Sequence, residues 1–263
     1  MLLEGKVAVI YGAGGAVGSA VARAFAREGA KLFLTGHHGA SLEALAREIR
    51  GTGAAAETAV VDALDGKSID THLDVVVEKS GRVDISFNAV GIPNTKLQGV
   101  PLAELDVEEF MRPIDTYARS YFLTARLAAR RMVAKRAGVI MTVTSTPSRT
   151  GIPLMGGVGP AMAAVEQLTR NLSAEFASKG IRVMGLRPTG MPDSGTIKEV
   201  FGLHANAWGI SWDQFRDLIA SRSHGNRLST LTEMASVAAF MASDRASGMT
   251  GSIVNLSLGA LDD

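Results

Sequence analysis

The sequence predicts an α/β protein: a single domain over residues 1–263, built on one doubly wound parallel β-sheet with helices on both faces. Three observations predict it. Short, β-branched-rich apolar runs alternate with longer stretches of helical periodicity along the whole chain. A glycine-rich turn, Gly12-Ala13-Gly14-Gly15-Ala16-Val17-Gly18, separates the first such run from the first helical stretch. Hydroxyl side chains (Thr144, Ser145, Thr146) follow another run, and ligands of open α/β sheets sit at the carboxyl ends of the strands.

The elements follow in order. Lys6 to Tyr11 reads as a buried strand, and the helix after the glycine turn carries Val17, Val21, Ala24 and Phe25 on one face. It closes at Arg27-Glu28-Gly29, with glycine as the C-cap. Strand, glycine turn and helix make half of a mononucleotide-binding unit, in which the helix N-terminus offers free N–H groups to a phosphate. A tight turn without a ligand would show the same glycines. Lys31–Gly36 is a second strand, Ser41–Ile49 a helix that Ser41 could cap, and Ala59–Ala63 a third strand. Ile69–Lys79 reads as a helix and Val83–Gly91 as a fourth strand ending in a polar turn. Val107–Arg136 is a long helical region with an expected interruption at Pro113. After the strand 139–144 comes a Pro/Gly-rich loop, then a helix with Ala161, Ala164, Val165, Leu168, Leu172 and Phe176 on its apolar face.

Composition excludes several function classes. With no cysteine there is no disulfide, thiolate chemistry or cysteine metal site, and the spacing of the histidines suggests no metal site. A net charge of +1 gives no electrostatic reason to expect nucleic acid or an anionic membrane. No apolar run approaches the ~20 residues of a membrane span, and the start lacks the apolar core of a signal peptide. A cytoplasmic protein is the expectation.

The motifs then converge. Tyr11-Gly12-Ala13-Gly14-Gly15-Ala16-Val17-Gly18 resembles the Thr-Gly-x-x-x-Gly-x-Gly loop of the short-chain dehydrogenases/reductases, with Tyr for Thr and Ala for the middle Gly. Asn88-Ala89-Val90-Gly91 resembles that family's Asn-Asn-Ala-Gly turn, and Asp62-Ala63 falls where the family contacts adenine. Gly180–Val183, Arg187-Pro188, Thr250-Gly251 and Asn255–Gly259 match the late strands and the closing turn. The resemblance covers essentially the whole chain. It implies a Rossmann-like fold, an NAD or NADP cofactor, a small-molecule substrate and a homodimer or homotetramer formed through the helices near 107–136 and 161–176.

The same resemblance implies a tetrad of Asn, Ser, Tyr and Lys, and here the chain departs from it. Ser145 matches the serine that hydrogen-bonds the substrate oxygen. The tyrosine position falls on Val158, the lysine position on Met162 and the helical asparagine position on Tyr117. Neither Val nor Met can donate a proton or hold the nicotinamide ribose, and losing a general acid costs roughly 10²–10⁴ in rate. Three ways out are open. Tyr117 could donate the proton directly or through water, although a tyrosine packed in a long helix reads the same way. The electrophile could be an iminium or activated alkene that needs no strong acid. Or the chain could bind nucleotide without turnover, as a partner or regulatory subunit.

Cofactor choice depends on the end of the second strand, where an acidic residue would select NAD. The chain has Thr35-Gly36-His37-His38 there, so His37 leans the expectation toward NADP over NAD, with two ordinary loop histidines as the alternative. Pro188 and Thr189 stand at the family's turn beside the nicotinamide. Residues 191–226 form the expected substrate loop or lid, with Trp208, Trp212 and Phe215 at helical spacing, as a cover for an apolar ligand or as an ordinary packed face.

Overall fold

The computed structural model describes residues 1–262. Seven strands form one parallel sheet in the order β3-β2-β1-β4-β5-β6-β7: β1 Val7–Tyr11, β2 Lys31–Gly36, β3 Ala56–Val60, β4 Ile85–Asn88, β5 Gly138–Val143, β6 Ile181–Pro188 and β7 Ile253–Leu256. The order reverses between β1 and β4. The crevice outside the strand ends at that switch point is where such a sheet takes a ligand.

Side-chain alternation along β1 explains the two cores. Ala8 and Ile10 join Phe25, Leu34, Phe87 and Met234 on one face, against helices α1 (Ala16–Arg27), α2 (Gly39–Gly51) and α8 (Leu231–Ala242). Val7, Val9 and Tyr11 join Phe33, Ile69 and Ala128 on the other, against α3 (Gly66–Ser80), α4 (Val107–Val133) and α5 (Val158–Phe176). Each fully buried Val, Leu, Ile or Phe contributes about 1.5–3 kcal/mol, so a strand buried on both faces must be apolar at every position. That is why β1 reads as an unbroken run. The remaining helices, α6 (Gly195–Trp208) and α7 (Trp212–Ala220), have their own small core of Phe201, Val200, Ala205, Phe215 and Leu228.

Several boundaries differ from the sequence reading. β3 spans 56–60, not 59–63, so Asp62 and Ala63 lie in the turn beyond the strand. The helix α2 begins at Gly39, and Ser41 does not cap it: its hydroxyl donates to the His38 carbonyl. Pro113 leaves α4 unbroken over 27 residues, because proline's fixed φ suits a helix and only one backbone hydrogen bond is lost. Ala164 on α5 faces outward, and its place on the inner face is taken by Met162, Glu166 and Thr169. Among the described residues no helix is long and apolar enough to cross a membrane.

Candidate cofactor and substrate cleft

A cleft of about 590 Å³ opens at the carboxyl ends of the strands, running from the glycine turn to the α6–α7 pair. Its first wall is the turn after β1. Gly12 has φ +70°, and a Cβ there would lie 2.5 Å from the Ala89 carbonyl oxygen. Glycine is required on both counts. Gly15 is the N-cap of α1 and supplies no side-chain cap, so the first N–H groups of that helix lack an intrahelical acceptor. A Cβ on Gly15 would meet only the Gly12 carbonyl at 3.4 Å and otherwise project into open space. An uncapped helix start behind a cradle of bare backbone suits the pyrophosphate of a dinucleotide.

Of the residues singled out from the sequence, Gly12, Gly14, Gly15, Ala16, Val17, His37, Asp62, Ala63, Ala89, Gly91, Tyr117, Ser145, Pro188 and Thr189 all line this one cleft. Gly18 and Asn88 stand behind the wall. A Cβ on Gly18 would lie 2.4 Å from the Gly12 carbonyl, so Gly18 lets α1 pack on the turn. Asn88 is buried, donates to the Thr124 hydroxyl at 3.1 Å and accepts from the Val90 N–H at 2.9 Å, which shapes the turn after β4. At the outer end of the cleft His37 Nε2 lies 3.2 Å from Asp62 Oδ1, and the same oxygen accepts the Leu64 N–H at 2.8 Å. His37 is therefore tied to Asp62.

The inner end is apolar. Val158 and Met162 are buried and pack with Leu97, flanked by Ile92, Tyr117 and Met155. Burial pushes the Tyr117 hydroxyl up to about 12, with a backbone hydrogen bond at Ile92 acting in the opposite sense. The neighbouring Tyr121 donates to the Val143 carbonyl at 2.8 Å. Trp208 and Trp212 fall on different helices, separated by the left-handed Gly209, so the expected single helical face does not exist. The aromatics nevertheless cluster: Phe215 meets Phe201 and Trp208 edge-on at 5.2 and 5.7 Å, and Phe201 and Phe215 line the cleft.

Two polar arrangements were not legible in advance. His204 on α6 is buried beside the cleft; its Nε2 lies 3.2 Å from Gln98 Oε1, and Gln98 Nε2 donates to Asn94 Oδ1 at 2.7 Å. Burial lowers the His204 pKa, which keeps the ring neutral. Glu166 accepts Arg187 Nε at 2.7 Å, the Ser148 hydroxyl at 2.5 Å and the Thr144 hydroxyl at 3.2 Å. The side chains of Arg187 and Glu166 are 1% and 2% exposed. Burial pushes the Glu166 carboxyl up, but Arg187 and the two hydroxyls outweigh it and hold the group below the usual carboxylate range. This ion pair joins the ends of β5 and β6 to α5. A charged residue in each of two apolar runs was the available signal. Among the described residues no group of His, Asp and Glu could hold a metal ion.

Fold and cleft define a nucleotide-binding α/β protein of dehydrogenase type. The family model described as Enoyl-(Acyl carrier protein) reductase matches residues 12–260, and the chain belongs to this branch of the short-chain dehydrogenases/reductases. It is 31% identical over 249 residues to the cis-4-hydroxycyclohexanecarboxylate dehydrogenase of Sinomonas cyclohexanicum, covering 95% of this chain and 94% of that one. The crystal structure of an NAD+-bound xylitol dehydrogenase superimposes with a TM-score of 0.92 at 25% identity, covering 98% of this chain and 100% of that one. That of an actinorhodin polyketide ketoreductase with NADPH gives 0.88 at 25% identity, covering 97% of each chain.

Proposed function

We propose that this protein is an NAD(P)-dependent oxidoreductase acting on an apolar carbonyl-, imine- or enone-like small molecule by an atypical route. The observation that carries the reading is the continuity of the cleft: a glycine cradle at an uncapped helix start leads, without interruption, to Ser145 and an apolar inner end. Gly12, Gly14, Gly15, Ala16 and Val17 would hold the pyrophosphate, Asp62 and Ala63 the adenine, and Ala89, Gly91, Pro188 and Thr189 the nicotinamide side. The relatives bound to NAD+ and NADPH support the cofactor class. The lack of a carboxylate at the end of β2 favours NADP, although Asp62 already engages His37.

Bound there, the cofactor supplies or accepts a hydride. Ser145 orients the acceptor, and Tyr117, protonated at neutral pH but a weak acid, is the candidate proton source for a carbonyl. Residues 191–226, with Phe201 and Phe215 facing inward, act as the substrate lid. The exposed Phe122 on α4 supports association of copies through α4 and α5. One observation favours a second reading: Val158 and Met162, at the positions that the resemblance gives to the family's tyrosine and lysine, make an apolar wall, which suits a protein that binds nucleotide without turnover, as a partner or regulatory subunit.

Calorimetric titration with NADPH and NADH tests the reading. Micromolar binding of either supports it. Absence of binding by both refutes it.

A further inference from the structure

The cleft carries a charge pattern that the proposed activity does not by itself explain. No lysine or arginine is among its lining residues. Among the described residues its one carboxylate is Asp62, which lies at the outer end against His37. The inner end offers aromatic rings (Tyr117, Tyr121, Phe201, Phe215), the Met162 thioether and neutral hydroxyls. His204, also on this wall, is uncharged because burial disfavours its cationic form.

Electrostatics in such a cavity discriminates among electrophiles. Hydride addition to a ketone creates an alkoxide, and addition to an enone creates an enolate. Either anion would form beside a newly cationic nicotinamide in a low-dielectric space, with no protein cation and no strong proton donor to stabilise it. Hydride addition to an iminium carbon creates no anion. The new C–H bond forms, the C=N π pair becomes the nitrogen lone pair, and the positive charge passes from the substrate to the nicotinamide. Atoms and electrons balance without a proton. The reaction moves a charge where the others separate charges, so the missing acid costs it nothing.

Two further features favour a cation. A bound dinucleotide brings its phosphate charges into a cleft whose walls hold no Lys or Arg to offset them, so the loaded site attracts positive charge. The rings of Tyr117 and Tyr121, with centroids 6.3 Å apart, both line the cleft, and aromatic rings attract organic cations. Tyr117 belongs to the same cluster as Val158 and Met162. A lysine at position 162 would repel such a substrate.

We propose that the substrate is an iminium ion or protonated imine carried on an apolar frame, bound against the tyrosine rings and reduced to an amine. This rests on the oxidoreductase reading above and names its substrate class.

The test uses the full chain and three probes of similar shape: N-methyl-3,4-dihydroisoquinolinium, whose charge is fixed; 1-tetralone, the neutral ketone; and N-methylisoquinolinium, an aromatic cation for the binding measurement. Binding of NADPH is measured first, by calorimetry. Binding of N-methylisoquinolinium and of 1-tetralone to the NADPH complex follows, and then formation of N-methyltetrahydroisoquinoline or tetralol by mass spectrometry. The expected result is tighter binding of the cation, and a kcat/KM for the iminium at least 100-fold above that for the ketone. Met162→Lys should weaken cation binding at least tenfold while still binding NADPH, and retained NADPH binding shows that the variant is folded. NADPH binding with equal or faster ketone reduction overturns the inference and leaves the oxidoreductase reading in place. So does NADPH binding with neither the iminium nor the ketone reduced. No binding of NADPH or NADH removes the reading on which the inference stands.

Discussion

The buried Glu166–Arg187 pair gives the sharpest stability prediction. Glu166→Gln keeps the side-chain shape but removes the charge that faces Arg187 at 2.7 and 3.2 Å. It also puts an NH₂ group among partners that are themselves donors: the guanidinium, Ser148 and Thr144. Breaking a buried ion pair costs about 3–5 kcal/mol. With side chains 1% and 2% exposed, solvent offers little compensation. A loss of about 3 kcal/mol at pH 7 is expected, read as a lower urea midpoint with unchanged slope. The pH dependence has a definite sign. The folded-state pKa of Glu166 lies below its ordinary value of 4.5, so its contribution is fully present above that pH and is lost as pH falls through the depressed value. The gap between wild type and Glu166→Gln should therefore be flat above about pH 5 and narrow at lower pH. Glu166→Leu combined with Arg187→Met, which leaves no buried charge at the pair, should recover most of the loss. A single-variant loss under about 1 kcal/mol, or a gap constant down to pH 3, would refute the reasoning.

The remaining predictions are compact. Gly15→Asp fits the extended backbone there (φ −81°, ψ 170°) and caps α1, so stability should hold or rise by a few tenths of a kcal/mol. NADPH affinity should nevertheless fall at least tenfold, because the carboxylate meets the phosphates; calorimetry and thermal melts separate the two effects. His37→Arg should raise affinity for NADPH relative to NADH, and an equal change for both cofactors would rule out His37 as the discriminating residue. Tyr117→Phe should remove about 10²-fold or more of whatever ketone turnover the protein shows, with NADPH binding intact; unchanged turnover disposes of Tyr117 as donor. Tyr11 is fully buried and its hydroxyl has no partner among the described residues, so Tyr11→Phe should stabilise the fold by about 1 kcal/mol in urea melts.

The fold was legible because its signals are local. A strand buried on both faces has to be apolar throughout, and a turn with φ +70° against a neighbouring carbonyl has to be glycine, so β1 and Gly12 announce themselves within a few residues. Asp62, Ser145, Val158 and Met162, singled out by their position in a recurring pattern, all line the cleft in the fold, and Asn88 stands behind its wall. Boundaries were less legible. Asp62 and Ala63 look like the end of a strand in isolation, yet β3 stops at Val60, where its pairing with β2 ends at Gly36.

What the sequence determined by itself was the order of strands and helices and the glycine cradle. Only the tertiary structure decided which side chains meet. Glu166 and Arg187 belong to different elements, and Gln98, in the loop between β4 and α4, meets His204 of α6 from 106 residues away. Their pairing is set by how α5 and α6 pack against the sheet ends, which no short-range spacing encodes. The same holds for the charge of the cleft. The chain contains 27 lysines and arginines, and none of them is among the residues lining the cleft. That property belongs to the folded surface, because it depends on where the backbone directs each side chain and not on how many charges the chain carries.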